Sequence, residues 1–262
     1  MVRKIVVTSG KGGVGKTTVV ANLGRMLAGF GKRVLLVDID FGLNNLDVTL
    51  GLENKITYDL TDVYEGRCRA KQALIQCDNC KNLYVLPSVN TDVFSSMSGQ
   101  NIKLIVDSVS SLFDYVIFDC PAGIDVGFHR ATSCAEEAIV VVTPNIPSLR
   151  DADKVLSVLN SYQLKSISLV VNRARGDLII NDKMMLPSDI GTLLKTKLLG
   201  VLPEEDTVFL SNGYKLPTRS DSFRAYKIFA SNVNNGGDKL FDVTGKYSGF
   251  FGSIRRRLKK SV

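Results

Sequence analysis

A loop that could hold a phosphate group lies close to the start of the 262-residue sequence. Residues 10–18 read Gly-Lys-Gly-Gly-Val-Gly-Lys-Thr-Thr and follow the apolar run 4–8. The spacing fits G-x-x-x-x-G-K-[ST], the P-loop in which glycine backbone N–H groups surround a phosphate. A helix starting near Lys16 would add the positive end of its dipole. We therefore predict nucleotide binding by Gly10, Lys11, Gly12, Gly13, Val14, Gly15, Lys16, Thr17 and Thr18.

Three side chains within this loop have separate predicted roles. Lys16 can reach the β- and γ-phosphates of a nucleotide, and the Thr17 hydroxyl can bind Mg²⁺. Lys11 is an additional lysine that an ordinary P-loop does not need. It is either a solvated loop charge or a cation that reaches a phosphate outside its own site, where negative charge develops during phosphoryl transfer.

Aspartates follow two other apolar runs of the chain. Residues 33–40 (RVLLVDID) contain Asp38 and Asp40, and residues 115–119 (YVIFD) end at Asp119. Mg²⁺ bound to a nucleotide keeps several waters and is held by nearby carboxylates. We therefore predict that Asp119 holds the waters of a metal ion, as a Walker B aspartate does. The alternative is that a strand-end aspartate only caps the next turn.

The sequence also bears on which base a bound nucleotide would carry. The apolar run that ends at Asn172 is followed by Arg-Ala-Arg. A GTPase-like Asn-Lys-x-Asp sequence would place a carboxylate against the guanine edge, and no acid stands three residues after Asn172. The sequence therefore favours adenine, and the expected cofactors are ATP or ADP with Mg²⁺.

These residues must be positioned by short apolar runs that alternate with helical segments. The alternation predicts an α/β fold of the P-loop NTPase type, with a mostly parallel twisted β-sheet flanked by helices on both faces. Ligands then bind at the carboxyl ends of the strands. The predicted strands are 4–9, 33–38, 82–87, 115–119, 138–143, 167–172 and 199–203. The predicted helices are 16–30, 99–113, 148–162 and 187–195, and the polar run 231–237 is predicted to be a loose connection.

Composition excludes several classes of protein. A content of 45% hydrophobic and 23% charged residues is typical of a soluble globular domain. The five cysteines are odd in number and scattered, which indicates a reducing cytosol. The single histidine, His129, excludes a metal site built on a histidine cluster. Cys77 and Cys80 have C-x-x-C spacing without a second pair, so we interpret them as loop cysteines, and Cys120 and Cys134 are the candidates for bridging an iron–sulfur cluster.

Positive charge is concentrated at the C-terminus. Five cations between residues 255 and 260 account for most of the net charge of +7, so the rest of the chain offers no broad surface for nucleic acid. On a helix, the apolar residues of this tail would lie in one sector of ~100°. We therefore predict a P-loop domain in residues 1–246 and an amphipathic, membrane-targeting helix in residues 247–262 that binds anionic lipids. The predicted membrane contacts are Phe250, Phe251, Ile254, Arg255, Arg256, Leu258 and Lys259.

Taken together, these motifs resemble those of the deviant Walker A ATPases, the MinD/ParA family. The matching segments are the loop with its two lysines, residues 42–47 (GLNNLD), residues 119–123 (DCPAG) and residues 149–153 (LRDAD). The resemblance implies that Lys11 reaches the nucleotide of a partner across an ATP-bound homodimer. It also implies that Asp40 positions the attacking water and that Asp38 lies near the metal and Lys16.

The same resemblance assigns two further regions. Residues 119–123 correspond to switch II, in which Asp119, Pro121 and Gly123 would distinguish ATP from ADP, with the Gly123 N–H turned toward the γ-phosphate. Asn172 would read the adenine amino group, and the segment from Pro203 onward would line the other side of the base. Members that determine the septum site commonly have arginine where this chain has Asn44, which bears on partner contacts at switch I.

The resemblance is greatest to the septum-site-determining branch of the family. It implies a slow, switch-type, Mg-dependent ATPase of the bacterial cytoplasm that binds reversibly to the inner face of the cell membrane. There it would recruit a MinC-type division inhibitor, and a MinE or MinJ/DivIVA-type regulator would set the position. The alternatives are a FlhG-type flagellar-number regulator, ranked second because the sequence starts directly at its first strand, and a ParA-like DNA-partition ATPase.

Overall fold

The computed structural model describes residues 1–40, 45–88, 96–211 and 215–248, with the backbone alone for residue 209. These residues form one eight-stranded sheet with helices on both of its faces. The strands are β1 (Arg3–Thr8), β2 (Val34–Asp38), β3 (Ile75–Gln76), β4 (Leu83–Leu86), β5 (Tyr115–Asp119), β6 (Glu137–Val142), β7 (Ser166–Ala174) and β8 (Lys197–Pro203). The helices are α1 (Lys16–Gly29), α2 (Leu46–Leu50), α3 (Leu60–Tyr64), α4 (Gly99–Ser110), α5 (Val126–Ser133), α6 (Ile146–Leu159), α7 (Gly176–Ile179), α8 (Pro187–Leu193), α9 (Asp206–Leu210) and α10 (Asp221–Asn235).

The strand order is β3-β4-β2-β5-β1-β6-β7-β8. Every neighbouring pair is parallel except β3 with β4 at one edge. β1 therefore lies inside the sheet, and the loop that follows it opens at the carboxyl edge, where ligands bind in folds of this kind. The predicted fold class is confirmed.

The continuous apolar runs are explained by burial on both faces of the sheet. Along β1, Val6 packs into one core while Ile5 and Val7 pack into the other, because successive side chains of a strand point to opposite faces. α1 and α10 cover the second core, and α4, α5 and α6 cover the first. The two helical layers therefore cover both faces of the sheet that carries the phosphate loop.

Several parts of the fold differ from the prediction, and α5 and α10 are not among the helices that were predicted. β3 is only two residues long, and no alternating pattern of useful length marks it in the sequence. The run 231–237, predicted to be a loose connection, is instead helical as far as Asn235, where α10 ends, and Gly236, with φ of 75°, caps the helix. The reason lies in Asn232, whose buried side-chain amide donates to the carbonyl oxygens of Leu199 (2.8 Å) and Lys239 (2.6 Å).

The C-terminal part of the described chain packs on the body. A 3₁₀ turn, Gly245–Tyr247, brings the buried Tyr247 against α7. The folded body thus continues one residue past the predicted boundary at residue 246. The predicted membrane contacts between Phe250 and Lys259 lie outside the described residues, as do residues 42–44 of the switch I motif. Within the described ranges, no helix is long and apolar enough to cross a membrane.

Candidate functional site

The loop between β1 and α1 has the backbone geometry of a phosphate cradle. Gly13 and Gly15 have φ of 76° and 93°, a left-handed conformation that side chains other than glycine rarely adopt. A Cβ at Gly15 would also lie 2.6 Å from the Nδ2 atom of Asn172, whereas a Cβ at Gly12 or Gly13 would meet open space. Glycine is therefore required at Gly15 by its neighbour, and the open space at Gly12 and Gly13 leaves their backbone accessible to a ligand.

The beginning of the loop is held by two other segments. A Cβ at Gly10 would lie 2.4 Å from the backbone of Asp151 in α6, so only glycine fits there. The Ser9 hydroxyl donates to the Lys11 carbonyl oxygen (2.8 Å), and the Gly123 N–H donates to the Ser9 carbonyl oxygen (3.0 Å). The expected turn of the Gly123 N–H toward a phosphate is not the arrangement seen, and it would require that last bond to break.

Two predicted metal-associated carboxylates stand side by side. β2 and β5 pair in parallel with Asp38 opposite Asp119, so both side chains leave the carboxyl edge together. Their exposed fractions are only 2% and 1%. The Asp40 N–H donates to Asp38 Oδ1 (2.9 Å), which places Asp40, a partly exposed residue, directly beyond the pair.

The surroundings of Asp38 and Asp119 disfavour the charged form of both carboxyl groups. Burial raises the pKa of Asp38 well above its ordinary value, and the neighbouring Asp119 raises it further. Burial raises the pKa of Asp119 to about 7, although the Thr17 hydroxyl and the charge of Lys16 lower it. Asp119 Oδ1 has no hydrogen-bond partner among the described residues. A divalent cation would satisfy this oxygen and relieve the repulsion between two buried carboxylates.

The residues present fit magnesium better than a metal that is held by protein ligands alone. Within the described part of the chain, no group of three His, Cys, Asp or Glu side chains could hold a metal ion. Mg²⁺ is commonly held by one or two carboxylates together with waters and substrate phosphates. Asp38, Asp119 and Thr17, next to a phosphate loop, supply such a partial set.

The two lysines of the loop differ in their surroundings. Lys16 is 8% exposed at the start of α1, whereas Lys11 is exposed. Lys11 lines a shallow cavity of about 370 Å³ together with Gly12, Gly13 and Asn145. No carboxylate of the described residues forms a salt bridge with Lys11. The charge of Lys11 is therefore available to a group outside its own loop.

A second cavity, of about 300 Å³, adjoins the helical side of the loop. Gly15, Thr18, Asn172 and Pro203 line it, so the predicted base-binding residues lie together beside the phosphate loop. The Asn172 side-chain amide donates to the Val14 carbonyl oxygen (2.8 Å). That bond uses the amide nitrogen and leaves the Asn172 carbonyl oxygen to accept from a ligand.

Asn172 is aimed at the loop by an irregularity that the sequence did not reveal. β7 and β8 pair Val171 with Val201 and Ala174 with Pro203, so β7 contains one extra residue between these pairs. Arg173 within this bulge has φ of 56°. Bulges of this kind redirect side chains beside active sites. Tyr226 of α10 also lines the cavity, and nothing in its local sequence marks it as a site residue.

The cysteines are placed as separate thiols. All five are free, and Cys120 and Cys134, the candidates for an iron–sulfur bridge, are both buried. Burial raises the pKa of Cys120 to about 12 and that of Cys134 to about 11. Burial therefore disfavours the thiolate form of both side chains, which is the form that ligates iron.

The chain is similar over most of its length to proteins that determine the septum site. A family profile described as "AAA domain" matches residues 2–171. The septum site-determining protein MinD of Synechocystis sp. is 39% identical over 98% of this chain and 99% of that protein. A chain of the Aquifex aeolicus MinC:MinD cell division complex is 37% identical, with a TM-score of 0.84 over 91% of this chain and 98% of that chain. The MinD of Pyrococcus horikoshii complexed with Mg-ADP is 30% identical, with a TM-score of 0.81 over 90% and 97%.

Proposed function

This chain belongs to the MinD family of septum site-determining ATPases, and from that premise we propose that it is a membrane-associating switch. It would dimerise with ATP, bind the membrane and place the division septum by recruiting a MinC-type inhibitor. The observation that carries the proposal is the pairing of the buried Asp38 and Asp119 beside a phosphate loop that contains two lysines.

The residues at the carboxyl edge divide the work of phosphoryl transfer. Mg²⁺ would supply charge neutralisation at the phosphate oxygens, held by the Thr17 hydroxyl and, directly or through water, by Asp38 and Asp119. Lys16 would contact the β- and γ-phosphates. Asp40, whose N–H is anchored on Asp38 Oδ1, would orient the attacking water. Asn172 would accept a hydrogen bond from the adenine amino group, with Pro203 on the other side of the base.

Lys11 would act on the nucleotide of a second copy of the chain. Its exposure and its lack of a salt bridge among the described residues leave it free to cross a dimer interface. Positive charge delivered there would stabilise the developing negative charge of the transition state, as an arginine finger does. Hydrolysis would thus require the homodimer, and the ATPase would be slow in the free chain.

The C-terminal residues would connect the nucleotide state to the membrane. The predicted helix 247–262 would insert Phe250, Phe251, Ile254 and Leu258 among lipids while Arg255, Arg256 and Lys259 contact anionic headgroups. Each cation contributes about 1 kcal/mol near such a surface, and ordering a short helix offsets much of the total. One tail would hold weakly, and two tails on an ATP dimer would gain avidity of order 10²–10⁴.

Partners and location follow from this switch. The protein would move between the bacterial cytoplasm and the inner face of the cell membrane, where a MinC-type inhibitor would bind the dimer. The Aquifex aeolicus complex of MinC with MinD supports a partner of that type. A MinE or MinJ/DivIVA-type regulator would set the position of the membrane-bound form.

Sedimentation with anionic liposomes under Mg-ATP and Mg-ADP tests the proposal. The full chain should sediment with Mg-ATP and much less with Mg-ADP, and a chain ending at Ser248 should remain in the supernatant in both cases. Gel filtration of the same samples should show dimers of both chains with Mg-ATP. Sedimentation that is independent of the nucleotide, or that survives removal of the tail, would contradict the proposed switch.

A further inference from the structure

A groove between α1 and α10 lies apart from the nucleotide cavity. It has a volume of about 300 Å³, and its apolar walls are formed by Met26, Phe30, Leu216 and Phe223. Phe30, which directly follows α1, is 36% exposed, although it is a large aromatic residue. None of these four residues lines the nucleotide cavity or the cavity beside Lys11. We refer to this feature as the α1–α10 groove.

Three cations border the α1–α10 groove: Arg25, Lys215 and Lys227. Within the part of the chain that the structure describes, none of them is in a salt bridge with a carboxylate. Arg25 donates a hydrogen bond from Nη2 to the Thr49 carbonyl oxygen (3.3 Å), and burial lowers its pKa. A partly buried guanidinium without a carboxylate partner is unfavourable unless another anion compensates it.

A second, smaller cavity of about 50 Å³ adjoins the groove. It shares Arg25, Lys215 and Cys80 with the groove, so positive charge lies where the two cavities meet. Asp78 also lines the small cavity, but its carboxylate is paired with Lys55. Arg25 and Lys215 therefore place positive charge at the junction of the two cavities, next to the apolar side chains of the larger one, an arrangement complementary to an anionic amphiphile.

We propose that the α1–α10 groove binds an anionic phospholipid, with the headgroup near Arg25 and Lys215 and an acyl chain against Phe30 and Phe223. The inference rests on the proposed function, because it requires the protein to reach a membrane. The groove would then be a second lipid contact, on the folded body, in addition to the tail.

The route of the chain supports a lipid as the occupant. Lys246 lies two residues before the end of the described chain at Ser248. It forms a salt bridge (2.5 Å) with Asp221, the first residue of α10. Phe223 follows Asp221 by two residues and lines the groove. The described chain therefore ends near the N-terminal turn of α10, which also carries Phe223, although Asp221 and Phe223 are two residues apart and point to different sides of the helix. Membrane-bound tails would bring this end of α10 toward the lipid surface.

The tail itself is the other apolar segment that could occupy the groove. It carries five cations between residues 255 and 260, and these would meet the three cations of the groove. Like charges without intervening anions repel, most strongly where water is excluded. Charge thus favours a lipid over the tail.

A tryptophan probe tests the proposal directly, since the chain contains no tryptophan. Phe30→Trp in the full chain places the only indole at the groove, and Leu104→Trp on α4 places one on the opposite face of the sheet, where Leu104 is exposed. With Mg-ATP and vesicles that contain brominated anionic phospholipid, we expect Phe30→Trp fluorescence to shift to shorter wavelength and to be quenched. Leu104→Trp fluorescence should change little.

The outcomes separate this proposal from the function on which it rests. Unquenched Phe30→Trp in protein that still sediments with the vesicles would overturn the groove proposal and leave the membrane switch intact. Failure of the unmodified chain to sediment at all would reject the membrane switch itself. A change in the Phe30→Trp spectrum without vesicles, when Phe250 and Phe251 are both replaced by Glu, would show that the tail occupies the groove and would also overturn the proposal.

Charge reversal provides a second measurement. The double variant Lys215→Glu/Lys227→Glu should weaken ATP-dependent vesicle binding by roughly tenfold, since each cation near an anionic surface contributes measurably. The matched control Lys71→Glu/Lys103→Glu changes the net charge equally at exposed positions on the opposite face of the sheet. ATP-driven dimerisation should be unchanged in both double variants. If vesicle binding then fell equally in both, the loss would be due to net charge alone, which would contradict a specific site.

Discussion

The two ends of the sheet differ in how their charged side chains are paired. At the amino end, Arg3 forms two hydrogen bonds with the Glu137 carboxylate, Nε to Oε1 and Nη2 to Oε2, both at 2.7 Å. Lys165 is paired with Glu136 beside them (2.5 Å). At the carboxyl end, Asp38 and Asp119 lie next to each other, and an oxygen of Asp119 has no partner among the described residues.

This difference separates stability from function within one sheet. At the amino end, the carboxylates of Glu136 and Glu137 are each paired with a cation, so these charges stabilise the folded chain without any ligand. At the carboxyl end, burial raises the pKa values of both aspartates, neighbouring carboxylates raise them further, and a cation with a phosphate would complete the site. Variants at the carboxyl end should therefore change activity, and variants at the amino end should change stability with little effect on activity.

The largest effect is expected from Lys11→Ala. If Lys11 acts on the partner's nucleotide, its loss should lower ATP hydrolysis by about 10³-fold, the range known for residues of the arginine-finger type. ATP-driven dimerisation and membrane recruitment should fall with it, while nucleotide binding to the single chain should persist. Gel filtration with Mg-ATP and a steady-state ATPase assay measure these effects, and normal ATP-dependent dimers of the variant would contradict the role in trans.

Asp40→Ala should have the next largest effect and should leave binding intact. A residue that only orients the attacking water affects hydrolysis, so turnover should fall on the order of 10²-fold while ATP still drives dimerisation. The variant should therefore remain on anionic vesicles after wild-type protein has hydrolysed its ATP and left. Wild-type turnover in a single-cycle experiment would remove Asp40 from the mechanism.

Asp119→Asn should change activity and stability in opposite directions. Loss of a carboxylate that orients the metal or its waters should reduce Mg-dependent turnover by about 10–100-fold. Without nucleotide, the variant should be more stable than the wild type at pH 8, on the order of 2 kcal/mol, because the buried charge is gone. Denaturant unfolding and an ATPase assay on the same preparation measure both effects.

The stability gained by Asp119→Asn should increase with pH. The pKa of Asp119 is raised to about 7 in the folded chain, so the folded state binds the proton more tightly than the unfolded state. Wild-type stability should therefore decrease as pH rises from about 4 to 7, and the gain from Asp119→Asn should vanish near pH 4. A gain that is constant across this range would show that the buried charge is not its cause.

Most of the fold could be predicted because its strands are buried on both faces and appear as uninterrupted apolar runs. The strand 115–119 matches β5 at both ends, and the other long strands shift by a few residues. α10 was not among the predicted helices, and its C-terminal end was predicted to be a loose connection because Asn and Gly favour turns locally. The tertiary bonds of Asn232 outweigh that preference, and no local pattern contains them.

The site could be predicted wherever it depends on motifs and could not where it depends on packing. The glycines of the loop and the strand-end aspartates followed from residue types and spacing. The bulge at Arg173, the close contact of Gly10 with Asp151 and the bond from Gly123 to Ser9 did not. Each of these depends on segments distant in sequence, which meet only once the sheet has formed.

The smallest effect is expected at the amino end, from Glu137→Gln. Burial alone would raise the pKa of Glu137, but the hydrogen bond and charge of Arg3 outweigh it, and the pKa is lowered. The stability that this pair contributes is therefore present above about pH 4.5 and is lost as pH falls through the lowered folded pKa. The variant should lose about 1 kcal/mol at pH 7, with turnover within twofold of wild type.

The comparison is sharpest when the two pH profiles are measured together. The deficit of Glu137→Gln should disappear in acid, at pH values where the carboxylate of the wild type is itself protonated. The excess stability of Asp119→Asn should also disappear in acid, because the wild-type carboxyl group is then protonated and the cost of its buried charge is gone. As pH falls, the unfolding free energy of Glu137→Gln should approach that of the wild type from lower values. The unfolding free energy of Asp119→Asn should approach it from higher values. If both variants were more stable than the wild type, or both less stable, the two ends of the sheet would not differ as their charges indicate.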